Sequence, residues 1–173
     1  MTDEAPPLLH GERVTLRPLR HEDTARLHEI LCEPEVALWF GMQTPQEVTD
    51  ELIGDPEVTG YAIEVEGELV GAIQSYENRD PAYRHAGMDI FLATAHQNRG
   101  LGTEALRVLA RYLLEERGHH RLIIDPAASN TRAIRAYERV GFKPVGIMRA
   151  YELGPDGTFH DGLLMDLLAD ELT

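Results

Sequence analysis

Apolar and polar residues alternate over residues 13–19, with Val14, Leu16 and Pro18 on one side, and this period of two predicts a strand. His21-Glu22-Asp23-Thr24 then supplies an acidic first turn to a helix carrying Ala25, Leu27, His28, Ile30 and Leu31. A second short helix is predicted over 46–53, opened by Thr44 as N-cap and Pro45 at the first helical position, where a missing N–H costs nothing. Residues 61–65 and 68–76 read as a hairpin about Glu66-Gly67, and 86–93 as the next strand. A long amphipathic helix over 101–117 places Leu101, Ala105, Val108, Leu109, Tyr112 and Leu113 on one face and Arg107, Arg111 and Glu115 on the other, with Gly118 ending it. A further helix follows Asn130, between strands at 121–125 and 142–151, and 163–168 closes the chain's strand set. The order βαα-βββ-α-β-α-ββ, runs of strands and then alternation with helices, predicts an α/β fold of the α+β kind with a mixed sheet. No repeat or linker divides the 173 residues, so 1–173 is expected to be one domain with a substantial core.

The join between strand 86–93 and the long helix carries the chemistry. In Gln97-Asn98-Arg99-Gly100-Leu101-Gly102-Thr103 the glycines let the backbone turn tightly, so that successive N–H groups and the positive helix end converge on a diphosphate, with Arg99 adding a charge. Asp89 interrupts the apolar run Met88-Asp89-Ile90-Phe91-Leu92 on the strand that feeds this loop. A carboxylate in a strand interior needs a partner or a purpose; on the face of Gly87 and Phe91, Asp89 is a candidate general base or amine anchor, with a structural ion pair as the alternative. Tyr137 lies seven residues after the N-cap candidate Asn130, on the face of Ala133, Ile134 and Val140, as either a proton donor or a core aromatic.

Charge changes the picture on the substrate side. Residues 99–149 hold ten of the sixteen Arg and Lys against five acids, whereas 43–68 carry eight carboxylates and 151–173 six, with no Lys or Arg in either stretch. Within a net charge of −14, a basic part that would hold an anionic cofactor beside an acidic remainder points to a cationic second substrate and away from nucleic acid; surface solubility is the competing reading. Cys32 stands alone and reads as an inert thiol of a reducing compartment. Residues 1–7 lack the basic-then-apolar pattern of a signal peptide and no apolar run approaches a membrane span, so a cytoplasmic protein without a membrane partner is expected. His119-His120 reads as a solvated helix end, not a metal site.

The spacing Gln-x-x-Gly-x-Gly, followed by Asp125-Pro126-Ala127-Ala128-Ser129-Asn130 and by Arg132-Ala133-Ile134-Arg135-Ala136-Tyr137-Glu138-Arg139-Val140-Gly141-Phe142, resembles the GNAT acetyltransferase superfamily over residues 60–168. The resemblance implies a mostly antiparallel sheet flanked by helices, with acetyl-CoA as co-substrate at a splayed parallel strand pair and no metal. It implies that residues 97–103 hold the pyrophosphate and that the backbone of Ile90, Phe91 and Leu92, with Asn130 and Ala133, holds the pantetheine. Tyr137 would then protonate the departing sulfur. Trp39-Phe40-Gly41, Tyr61-Ala62-Ile63, Gly67-Glu68-Leu69-Val70-Gly71, Gln74-Ser75-Tyr76, Asp89 and Asp125-Pro126 are similar to the bacterial aminoglycoside 6′-N-acetyltransferases. That likeness implies a substrate side built from Trp39, Tyr76, Glu77, Asp89, Asp125 and Asp161, and an aminoglycoside-like amine as acceptor to a monomer or homodimer.

Two departures keep other acceptors open. Arg79 and Arg84 lie where those enzymes have an acidic, Trp-rich insertion, and Arg149-Ala150-Tyr151-Glu152 with 157–162 looks more like ribosomal-protein N-acetyltransferases. A protein N-terminus, a ribosomal protein or a siderophore precursor is therefore the alternative acceptor, and Asp161-Gly162 reads equally as a hairpin turn. Gly100, Gly102 and Ala105 also fit Gly-x-Gly-x-x-Ala with Asp125 ending the next strand, but the 68 residues after Ala105 are too few for a dinucleotide fold. A non-enzymatic acyl-CoA sensor would keep the loop and have no use for Asp89 and Tyr137.

Overall fold

The computed structural model describes residues 5–41 and 43–173, so the expectation for 1–7 falls mostly outside the described residues. In chain order the strands are β1 (Leu9–His10), β2 (Val14–Pro18), β3 (Val58–Val65), β4 (Glu68–Asn78), β5 (His85–Leu92), β6 (Arg121–Ile124), β7 (Lys143–Leu153) and β8 (Phe159–Leu168). The helices are α1 (Thr24–Leu31), α2 (Pro34–Phe40), α3 (Pro45–Thr49), α4 (Leu101–Arg111) and α5 (Thr131–Val140). The strands join in one sheet ordered β1-β2-β3-β4-β5-β6-β8-β7. Its pairs are antiparallel except β5 with β6, which run parallel and are in register only at Ala86↔Leu122 and Gly87↔Ile123.

Both faces are covered. Tyr61, Ile63, Ile73, Met88 and Leu92 pack with Leu106, Leu109 and Leu113 of the α4 segment and with Tyr137 and Val140 of α5. Ala72 and Phe91 face the other way, onto Leu27, Ile30 and Leu31 of α1, Val36 of α2 and Val48 of α3. Strand alternation divides the residues between the two layers. An ion-pair fork ties the sheet to α1: Arg17 donates to both oxygens of Asp23 at 2.8 Å and to Glu64 at 2.6 Å.

Local signals account for most boundaries. Glu66 (φ 51°) and Gly67 (φ 80°) make the two-residue β3–β4 turn. Thr44 accepts from the Glu47 N–H while the Glu47 carboxylate accepts from the Thr44 N–H, a reciprocal cap with Pro45 behind it. The long helix is α-helical to Arg111 and continues as a wider turn over Tyr112–Glu116.

Three expectations need correction. The 32–45 stretch holds an extra helix, α2, too short to show a period; Glu33 precedes it and Pro34 starts it. Strand β8 begins at Phe159, so Asp161-Gly162 lies inside a strand and the turn is made at 154–157, where the Gly157 N–H donates to the Gly154 C=O at 3.0 Å. His119 is buried, with 2% of its surface exposed, because its ring pairs with Glu77; only His120 is solvated.

Candidate active site

The parallel pairing ends after two residue pairs, and β5 runs on from Asp89 to Leu92 without ladder pairing to β6. A cleft of about 770 Å³ opens there, lined from α2 by Trp39 and Glu35, from β5 by Asp89, Ile90, Phe91 and Leu92, and from the following loop by Gln97, Asn98, Gly100, Gly102 and Thr103. Asp125, Asn130, Ala133 and Tyr137 line it from the β6–α5 side, and Tyr151 and Glu152 from β7. The size suits a cofactor-plus-substrate site.

One end is an anion cradle. Asn98 (φ 58°) and Gly100 (φ 78°) turn the chain through left-handed conformations, and the first intrahelical bond is from the Glu104 N–H to the Gly100 C=O. The amides of Leu101, Gly102 and Thr103 precede that bond and have no acceptor within α4. Arg13 and Glu104 brace the loop from outside: Glu104 accepts from the Arg13 and Val14 amides, and Arg13 donates to the Arg99 C=O at 2.9 Å. Gln97 donates to the Leu92 C=O at 2.9 Å, while its own side-chain oxygen is buried without a partner. Free helix-end amides, a backbone held open by glycine and an orphaned amide oxygen fit the diphosphate and amide-bearing arm of coenzyme A. Arg99 and Leu101 are outside the lining; Leu101 turns into the core. The Asn130 side chain accepts from the Ala133 N–H at 3.2 Å, capping α5 at the cleft's edge.

The other end is acidic. Glu35, Asp89, Asp125 and Glu152 come from four separate elements, and the arginines of the lining, Arg132 and Arg139, both belong to α5. The Asp89 side chain opens on the cleft, yet protein surrounds it closely; burial, with Asp125 and Glu152 nearby, pushes its carboxyl up to about 7 against the opposing Ile90 N–H, which donates to it at 2.9 Å. Such a group exchanges a proton near neutrality. Burial first, then Asp89 and Asp125, hold the Tyr137 phenol well above its ordinary value, so it stays protonated. Tyr137 packs edge-on against Phe142 at 6.3 Å and is 7% exposed. Burial and Asp125 also raise Glu152.

Tyrosines frame this end. Tyr76, raised by burial and by Asp125 and Asp89, lies over Gly87: a Cβ there would fall 2.0 Å from its ring. Tyr151 donates to Asp125 at 2.5 Å. The structure thus gathers Trp39, Asp89, Asp125, Asn130 and Tyr137 into one cleft, with Tyr76 beside it.

Glu77 and Asp161, expected on the substrate side, do not line the cleft. Glu77 is held by Arg117 at 2.9 Å and by buried His119 at 2.7 Å. Asp161 accepts from the Ala150 N–H at 2.8 Å. Glu35, Tyr151 and Glu152 also line the cleft, and no local pattern in the sequence places them there. Among the described residues, no group of three His, Cys, Asp or Glu could hold a metal ion, and no helix is long and apolar enough to cross a membrane.

The acetyltransferase (GNAT) domain family matches residues 13–143. The aminoglycoside N(6′)-acetyltransferase type 1 of Klebsiella pneumoniae is 32% identical over 167 residues, covering 85% of this chain and 80% of that protein. The spermidine N(1)-acetyltransferase of Escherichia coli (strain K12) is 26% identical over 160 residues, covering 88% and 84%. Among solved structures, the aminoglycoside acetyltransferase AAC(6′)-Ib in complex with coenzyme A and kanamycin superposes with a TM-score of 0.75 at 29% identity, over 91% of this chain and 96% of that one.

Proposed function

The chain belongs to the GNAT acetyltransferase family, and from that premise we propose that it transfers an acetyl group from acetyl-CoA to a primary amine of a polycationic small molecule, the 6′-amine of an aminoglycoside first among them. The observation that carries this reading is the acceptor end of the cleft, where Glu35, Asp89, Asp125 and Glu152 converge from α2, β5, the end of β6 and β7. Like-signed walls in a cleft concentrate an oppositely charged ligand. The named relatives act on polyamines of the same charge class, which supports the same reading.

Acetyl-CoA supplies the activated thioester; the protein positions the amine and moves protons. Asp89 takes a proton from the incoming ammonium, freeing the nitrogen lone pair for the carbonyl carbon. A C–N bond forms as the C–S bond breaks, Tyr137 gives its phenolic proton to the leaving sulfur, and the second proton that the acylated nitrogen loses passes through solvent to restore the phenol, while Asp89 releases the first to solvent. The α4 amides would hold the diphosphate and the free edge of β5 the pantetheine arm, in the same cleft that Asp89 and Tyr137 line.

The test is thiol release from acetyl-CoA with kanamycin, comparing the native protein with Tyr137→Phe. Turnover that falls about 100-fold or more in the variant, with acetyl-CoA affinity kept, is the expected result. Coenzyme A binding without release on kanamycin would remove the aminoglycoside reading. A linear polyamine is the second reading, favoured by the spermidine-acetylating relative, and release with spermidine alone would select it.

A further inference from the structure

Strand β7 departs from regular pairing beside the cleft. Met148 pairs with Gly162 and Glu152 with His160, so residues 149–151 of β7 face Asp161 alone. Ala150 sits at φ 48°, a left-handed conformation that an L side chain adopts at a cost. Its N–H donates to the Asp161 carboxylate at 2.8 Å. The main chain from Asp161 to Leu163 is tied to the opposite wall: the Asp161 C=O accepts from the Ala128 N–H at 2.8 Å, and the Leu163 N–H donates to the Pro126 C=O at 2.9 Å. Asp161 therefore joins the bulge of β7 to the segment between β6 and α5 that presents Asp125 and Asn130.

The bulge decides where two side chains go. Because strand side chains alternate, a change of one residue in the pairing sends each to the other face of the sheet. As built, Tyr151 and Glu152 both reach the cleft. The Tyr151 ring crosses Gly162, where a Cβ would come within 2.8 Å of it, and its hydroxyl meets Asp125.

We infer that Asp161 is the positioning residue of the acceptor half of the site: it touches no substrate, and its carboxylate fixes the Ala150 bulge that turns Tyr151 and Glu152 toward the amine. The inference rests on the amine-acceptor reading above for its effect on turnover, and on the bulge alone for its effect on structure. Asp161→Asn keeps an oxygen to accept the Ala150 N–H while losing the charge; Asp161→Ala loses both.

The experiment compares these two variants by three readouts: kinetics with kanamycin and acetyl-CoA, kanamycin titration of the fluorescence of Trp39, the chain's single tryptophan and part of the cleft lining, and amide hydrogen exchange over residues 148–153. Asp161→Ala is expected to raise the kanamycin KM and dissociation constant about tenfold, leave acetyl-CoA KM within about twofold, and speed exchange at 148–153. Asp161→Asn is expected to stay near the native protein in all three. An asparagine variant as impaired as the alanine one would show a direct charge contact and overturn the inference, as would unchanged exchange in Asp161→Ala or an equal loss of both substrates. If the native protein neither binds nor acetylates kanamycin while exchange responds as expected, the acceptor assignment fails and the positioning role stands.

Discussion

Removing the Asp89 carboxylate should erase one limb of the pH profile. Burial, Asp125 and Glu152 lift this group from an ordinary 3.8 to about 7. A base with that value is about 1% ionised at pH 5 and about 90% ionised at pH 8, so its share of kcat/KM rises roughly 90-fold over that range. The amine's own deprotonation adds a slope common to native protein and variant. The informative quantity is therefore the ratio of native kcat/KM to that of Asp89→Asn, measured by thiol release from pH 5 to 9. That ratio should climb and level off near 7. Two consequences follow from the same causes. Asp125→Asn removes a neighbouring negative charge, so the limb should move to lower pH. A bound ammonium favours the ionised carboxylate, so the limb in kcat should lie below the one in kcat/KM. A flat ratio, or a limb that survives in Asp89→Asn, would refute the role of Asp89 as base.

Two further predictions concern geometry. Gly87→Ala puts a Cβ 2.0 Å from the Tyr76 ring; Tyr76 is 42% exposed and free to swing away, so the acceptor KM should rise about tenfold with acetyl-CoA KM unchanged, by steady-state kinetics. Arg17→Ala leaves Asp23 buried without its fork and should cost about 3 kcal/mol, a fall in Tm of about 6–12 °C by calorimetry. Burial pushes Asp23 up, but Arg17 and the Arg20 N–H outweigh it and hold the carboxyl below 3.8. The contribution of this fork is thus present at neutral pH and is lost as pH falls through that depressed value, so the variant and native Tm should converge only in strong acid.

Much of the site was legible because its signals are local. Gly100 announces a left-handed turn before an open helix end, Asn130 announces a cap, and an acid inside the Met88–Leu92 run announces an expensive placement. These features lie within a few residues of their consequences. Glu77 could not be read that way: its partners Arg117 and His119 are about forty residues off, and nothing in the sequence says that this carboxylate points toward them. Tyr151 and Glu152 were hidden for a different reason. A period of two over 142–151 has no place for the extra residues opposite Asp161, and the left-handed residue there is Ala150, with no glycine to mark it.

The acceptor end gains its shape from two tyrosine-over-glycine contacts that no local pattern records. Tyr76 of β4 lies on Gly87 of β5, and Tyr151 of β7 lies on Gly162 of β8. Each glycine lets an aromatic ring lie flat on the sheet; a larger residue would lift the ring into the cleft. Tyr151 reaches Asp125, and Tyr76 lies close enough to Asp125 and Asp89 for both to raise its phenol. Neither ring brings a positive charge. Asp125 therefore keeps its electrostatic hold on Asp89 and Glu152, and the repulsion among these acids is relieved when a cation arrives. A base tuned near neutrality and the proposed affinity for polycations thus share one arrangement: carboxylates from separate elements, framed by neutral hydroxyls, with the arginines of the lining confined to α5.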